Sequence, residues 1–303
     1  MAVLAVVAAV VIVVLLVTGG DEGLNRTDTI QTGASPSGVA IGGGSVWVVN
    51  ADSGSLVRVD PGDKEVVGKP QQVGEAPEYV AFGEGAAWVT SGVGSRVARV
   101  DGQTGRLVET IVPGIEPSGL AVGAGSVWVA DSSERNVRRI DPQTNRVERR
   151  IAVGSAPEGV AFGEGAVWVA NAGGTTVSRI DPNSNRVVAT IRVGNAPSDI
   201  AVGEGGVWVV NASDQTLMRI DPAANRVSGE AISIDGVPSG VAAGSGAVWV
   251  ANDNAKRLER IDPGDGEITD TLGLAHSPSA VAVGEGAVWV TVPEDGTVVR
   301  VEP

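Results

Sequence analysis

Residues 157–193 read PEGVAFGEGAVWVANAGGTTVSRIDPNSNRVVATIRV, and this stretch decides the fold. It parses into four short β-prone runs: GVAFG (strand A), AVWVAN (strand B), TVSRID (strand C) and RVVATIRV (strand D). Gly-rich or Asp-Pro turns separate the runs, which predicts a four-stranded antiparallel meander. A helical repeat of this length is excluded, because Pro, Gly and Val-Trp-Val recur throughout the unit.

The unit repeats along the chain. Trp occurs at 47, 88, 128, 168, 208, 249 and 289, so every Trp lies on a lattice of 40 or 41 residues. A fixed period of this size in a strand-rich sequence signals a propeller. The expected fold class is all-β, a seven-bladed β-propeller of four-stranded blades over residues 27–303. After Trp289 the chain supplies a strand C (TVVRVEP) and then no strand D. At the other end, DTIQTG at 28–33 resembles ATIRVG at 189–194. The N-terminal strand is therefore predicted to complete the last blade, which hides an edge that would otherwise invite aggregation.

The repeated residues read as scaffold. Strand B is continuously apolar, as expected of a strand covered on both faces. Each Trp is expected to bury on the order of 150–250 Å² between blades. Ala recurs in mid strand A at 40, 81, 121, 161, 201, 242 and 282, where the ring is most crowded. The G-x-G turns, such as Gly163–Gly165, superficially look like phosphate loops. A dinucleotide fingerprint needs a helix after the glycines, and here a strand follows. Arg-x-Asp closes strand C in six units, as in Arg179 and Asp181, with Glu302 in place of Asp in the seventh. The Asp is turn chemistry and the Arg is expected to be a strut.

Composition narrows the function. The chain has 303 residues, 43 Gly and no Cys, so disulfides, thiol nucleophiles and zinc–thiolate sites are excluded. The net charge of −14 repels phosphate backbones and argues against nucleic-acid binding.

Residues 1–17, MAVLAVVAAVVIVVLLV, carry no polar side chain and are at the short end of what spans a bilayer. A core helix would be amphipathic. A signal peptide would show a basic start and a small-residue cleavage site, and neither is present. The expectation is one transmembrane anchor at 1–17, a flexible linker at 18–26 and an extracytoplasmic propeller, periplasmic or on the cell surface. The missing basic flank suits the C-terminal part of a longer signalling protein.

The VWVAN and TVxRIDPxTNxV patterns closely resemble the YVTN-type propeller repeat, and also the propeller of the virginiamycin B lyase-like group. The resemblance covers about residues 27–303. Similar propellers occur as periplasmic or surface proteins, and some form the external part of membrane-spanning serine/threonine kinases. The lyase resemblance implies a metal in the central channel and a catalytic His. His276 is the one His in the chain, so the full catalytic set is not carried over.

In such a blade the loops entering strand A and the B–C loops share one face. On this face the sequence places thirteen acids, Glu78, Asp131, Glu158 and Asp199 among them, against four bases. That balance suggests a cationic or metal partner, and the alternative is a solvated face that aids solubility. The first residue of strand A is Gly or Ala in five blades but Tyr79 in blade two and Asp199 in blade five. By alternation both share the side of the recurring Ala and point to the channel mouth. The candidate ligand-binding set is Tyr79, Asp199, Glu78, Glu158, His276, Asp131 and Asn171. Asp131 and Asn171 end strand B, where recurrence favours turn hydrogen bonding. No cofactor is called for beyond a divalent metal on the acidic face. The expected function is a membrane-tethered binding or sensor domain for a small molecule, cationic peptide or protein. The alternatives are a metal-dependent lyase and a structural interaction platform.

Overall fold

The computed structural model describes residues 23–303, so the apolar run at 1–17 lies outside the described residues, as does most of the linker. Seven four-stranded antiparallel sheets follow one another around a ring. Six are uninterrupted meanders, exemplified by Pro157–Gly163, Ala166–Asn171, Thr176–Asp181 and Arg186–Arg192 in blade four. The seventh combines Val281–Gly284, Ala287–Val292 and Thr297–Val301 with the N-terminal strand Arg26–Gln31. Ile30 faces Val298 and Gln31 faces Thr297 in that pairing, so the two ends of the chain close the ring as the sequence predicts. The strand begins two residues earlier than expected, and Thr32 turns away by donating its N–H to the Gly296 carbonyl at 2.9 Å. The last linker residues also belong to the ring. The Leu24 N–H donates to Asp270 at 2.9 Å, and the Asn25 carbonyl accepts from Glu302.

One row of residues crosses every blade. Ala161 faces Trp168, which faces Arg179, and the other blades repeat this register. The seven Trp side chains are at most 1% exposed. Each indole N–H donates to the carbonyl of the Gly that ends strand A, as Trp168 does to Gly163 at 3.1 Å, so burial leaves no orphaned donor. In blades one to six the Arg lies over the Trp ring, with Arg179 5.2 Å from the Trp168 centroid. In blades one to five the guanidinium then reaches into the next blade. Arg139 donates to the Pro182 carbonyl at 2.9 Å and Arg179 to Asn225 at 2.7 Å. The Arg is thus a strut between blades.

The G-x-G segments are two-residue hairpins. Glu164 and Gly165 both have positive φ, 50° and 68°, which matches the twist of flanking strands. The first Gly has a separate role: a Cβ on Gly163 would sit 2.5 Å from Val202 of the next blade.

Candidate functional site

The N-terminal ends of the strands A converge on the channel mouth. Pro157 at the start of strand A pairs with Asn171 at the end of strand B, so the B–C loops rise on this same face. A cavity of about 340 Å³ opens there, and no basic side chain lines it. Its wall is built from the starts of the strands A, which read Pro-Ser in five blades and Pro-Glu in two. Ser37 donates across the blade boundary to the Pro77 carbonyl at 2.8 Å, and Ser118 does the same to Pro157. The Gly that follows is required by the close approach of blades: a Cβ on Gly119 would fall 2.1 Å from the Glu158 carbonyl oxygen. That close approach keeps the position small in the blades where Gly stands.

Two blades break the Ser pattern with a carboxylate. Glu78 and Glu158 stand where Ser stands in the other five blades. Tyr79 is half-buried against the blade-two and blade-three core, leans over blade three and donates its hydroxyl to Glu158 of blade four at 3.0 Å. Asp199 lines the same cavity from blade five. It accepts the N–H of Ile200 and, across the boundary into blade six, that of Val241, both at 2.9 Å. Ser198 beside it has a buried hydroxyl with no partner.

The electrostatics follow from placing three carboxyls and a phenol in one acidic mouth. Loss of solvent pushes the Asp199 carboxyl up to about 6, with the Glu158 charge adding to the effect against its two backbone hydrogen bonds. Burial also raises Glu158, opposed by the Tyr79 hydrogen bond, and raises Glu78, reinforced by Glu116. Burial and the surrounding negative charges hold the Tyr79 phenol well above its ordinary range. A cation entering the mouth would relieve each of these penalties.

The remaining candidates lie outside this lining. His276 precedes strand A of blade seven and is pinned to the B–C turn of its own blade, with Nδ1 2.5 Å from Asp295 Oδ1. Asp131 is buried and accepts the Ile115 N–H at 3.0 Å while pairing with Arg138 at 3.2 Å. Asn171 accepts the Gly154 N–H and donates to Thr176 and Ser178, all at 3.0 Å. Both therefore tie loops together, as their recurrence suggested. Among the described residues no group of three or more His, Cys, Asp or Glu side chains is placed to hold a metal. The metal that the lyase resemblance implies is not matched by the residues present.

The sequence reading missed the Ser ring and the unpaired Ser198. The recurrence of Pro-Ser at the start of strand A in five blades was the available signal. That the Ser hydroxyl crosses to the next blade is not written locally.

The fold and mouth define a seven-bladed propeller with an acidic, Tyr-bridged channel entrance. In sequence, the family described as "Repeat of unknown function (DUF6923)" matches residues 160–252. No curated protein matches the chain. In structure, the chain is similar to a streptogramin B lyase with a TM-score of 0.79 at 17% identity, covering 92% of this chain and 98% of that one. It is similar to virginiamycin B lyase from Staphylococcus aureus at 0.79 and 16%, covering 91% and 99%. It is also similar to Kuenenia stuttgartiensis hydrazine synthase at 0.77 and 18%, covering 94% and 99%. At these identities the likeness establishes the propeller fold and nothing about chemistry.

Proposed function

We propose that this chain is a membrane-tethered, extracytoplasmic binding or sensor domain whose channel mouth takes a cationic ligand. One observation carries the reading: Tyr79, Glu158 and Asp199, from three blades, face a single cavity that no basic side chain lines. Scaffold residues in this protein recur around the ring, and these do not. A cavity of this size, walled by apolar residues such as Val80, Leu120 and Val160 and carrying a few convergent polar groups, has the form of a ligand site.

The tether reading rests on the apolar run at 1–17. Arg26 pairs with Val301 and Gln31 with Thr297, so the chain enters at the C–D turn face and runs toward the mouth face. An anchor upstream would leave the mouth directed away from the bilayer. Protease added to intact cells is expected to remove a tag fused after Pro303. A tag protected until lysis overturns this topology.

A metal-dependent lyase shares the fold, but His276 is engaged outside the cavity and, among the described residues, no group of three or more His, Cys, Asp or Glu is placed to hold a metal. Titration with agmatine tests the binding reading directly. Glu158→Gln is expected to weaken agmatine by about tenfold or more, the loss typical of a charged hydrogen-bonded contact. Absence of binding to the unaltered protein, or equal binding to the variant, overturns it.

A further inference from the structure

On the reading that the mouth takes a cation, we infer that its occupant is a peptide segment. One Lys or Arg enters the cavity, and a nearby apolar side chain seats on the rim formed by Val93, Val112 and Ile115. These three side chains are 53%, 69% and 59% exposed, on a face whose other loops are mostly polar. They come from two loops held together: the Ser95 hydroxyl donates to the Ile115 carbonyl. Ile115 is held from the other side too, its N–H bound to Asp131 at 3.0 Å. The backbone of this loop is thus fixed while its side chain is left in solvent. Exposed apolar side chains grouped on a rigid loop mark contact surfaces more often than scattered ones do.

The patch lies a few residues along the chain from the mouth. Glu116 follows Ile115, and its charge acts on Glu78 at the cavity wall. Gly119, four residues beyond Ile115, lines the cavity itself. That separation is at most roughly 13 Å of extended chain, which matches two to four residues of an extended peptide. The charges also set the direction. The mouth carries carboxylates, whereas Arg96 opens the strand after Val93. A cation is therefore favoured in the mouth and an uncharged apolar side chain on the patch. A free amine or guanidine would leave the patch uncovered.

Blocked hexapeptides test this, with one Arg and one Leu at separations of two to four residues and Gly or Ser elsewhere. They are titrated by calorimetry against the full chain, with agmatine in parallel. The best peptide is expected to bind at least tenfold more tightly than agmatine. Val112→Ser combined with Ile115→Ser is expected to erase that gain while changing agmatine affinity less than twofold. Glu158→Gln is expected to weaken both ligands. Peptide affinity no better than agmatine, or unchanged by the rim substitutions, overturns the peptide inference and leaves the cation site standing. Failure of agmatine and every peptide to bind overturns both. Peptide binding that is lost on the rim substitutions but indifferent to Glu158→Gln also overturns the inference, because the cation would not then be seated in the mouth.

Discussion

The Tyr79 hydroxyl donates to Glu158 Oε1 at 3.0 Å, although 79 positions separate the two residues and blade three lies between their blades. The bond bridges part of the channel entrance and brings a carboxylate to the side of Asp199. Tyr79 also seats its ring on the core between blades two and three, so the bridge is anchored in the fold.

Removing only the hydroxyl separates these roles. Tyr79→Phe keeps the ring on the core and leaves Glu158 without its donor. Stability in urea is expected to change by less than about 1 kcal/mol, since one partly solvated hydrogen bond contributes little net. Agmatine affinity is expected to fall several-fold as the carboxylate loses its fixed position. Unchanged affinity, measured by calorimetry, would show that the bridge does not orient the site.

Asp199 makes stability depend on pH in a predictable direction. Its folded pKa is raised to about 6 from 3.8, so the folded state holds the proton more tightly. The associated stability is fully present below 3.8 and is lost as pH rises through about 6. A shift of this size corresponds to at most about 3 kcal/mol. The six turn aspartates with lowered pKa, Asp60, Asp101, Asp141, Asp181, Asp214 and Asp221, act in the opposite sense. They are common to wild type and variant and cancel in the difference. Urea unfolding from pH 4 to pH 7 should show wild type losing stability relative to Asp199→Ala. Parallel curves would remove the raised carboxyl from the account. Agmatine affinity should rise over the same interval as the carboxylate forms.

Ring closure can be tested by truncation. Deleting residues 1–31 removes the strand paired with Thr297–Val301 and exposes its edge. Lower melting temperature and concentration-dependent oligomers are expected, seen by calorimetry and light scattering. Deleting 1–22 leaves the strand and the Leu24–Asp270 contact intact and should not destabilise the ring. Equal stability of the two would contradict closure by this strand.

The struts predict coupling between blades. Arg179 lies over Trp168 in its own blade and bonds Asn225 in the next. Arg179→Ala is expected to cost about 1–3 kcal/mol, combining a cation–π contact and a charged hydrogen bond. Asn225→Ala should cost less, and the double variant less than the sum. An additive cycle in guanidinium unfolding would show that the bond carries no coupling.

Much of the architecture is legible in the sequence, for local reasons. The Trp lattice, the X-Gly hairpins and the Asp-x-x turns repeat because each blade solves the same packing problem, so the period counts the blades. The paired half-strands at the two ends disclosed closure. Tyr79 and Asp199 were visible as departures from Gly and Ala at one register position, because only a repeat makes an exception visible. What each exception touches was decided by the tertiary structure alone. Neighbouring blades are rotated against one another, so Tyr79 meets Glu158 beyond blade three while Asp199 meets the Val241 backbone in blade six. The same rotation sends the Ser hydroxyls into the next blade and leaves Ser198 without a partner. It also keeps His276 on its own B–C turn and out of the cavity. Local sequence fixes strand period and turn type through short-range sterics and hydrogen bonds. The partners of side chains at the channel mouth depend on where whole sheets come to rest around the ring, and no short segment encodes that.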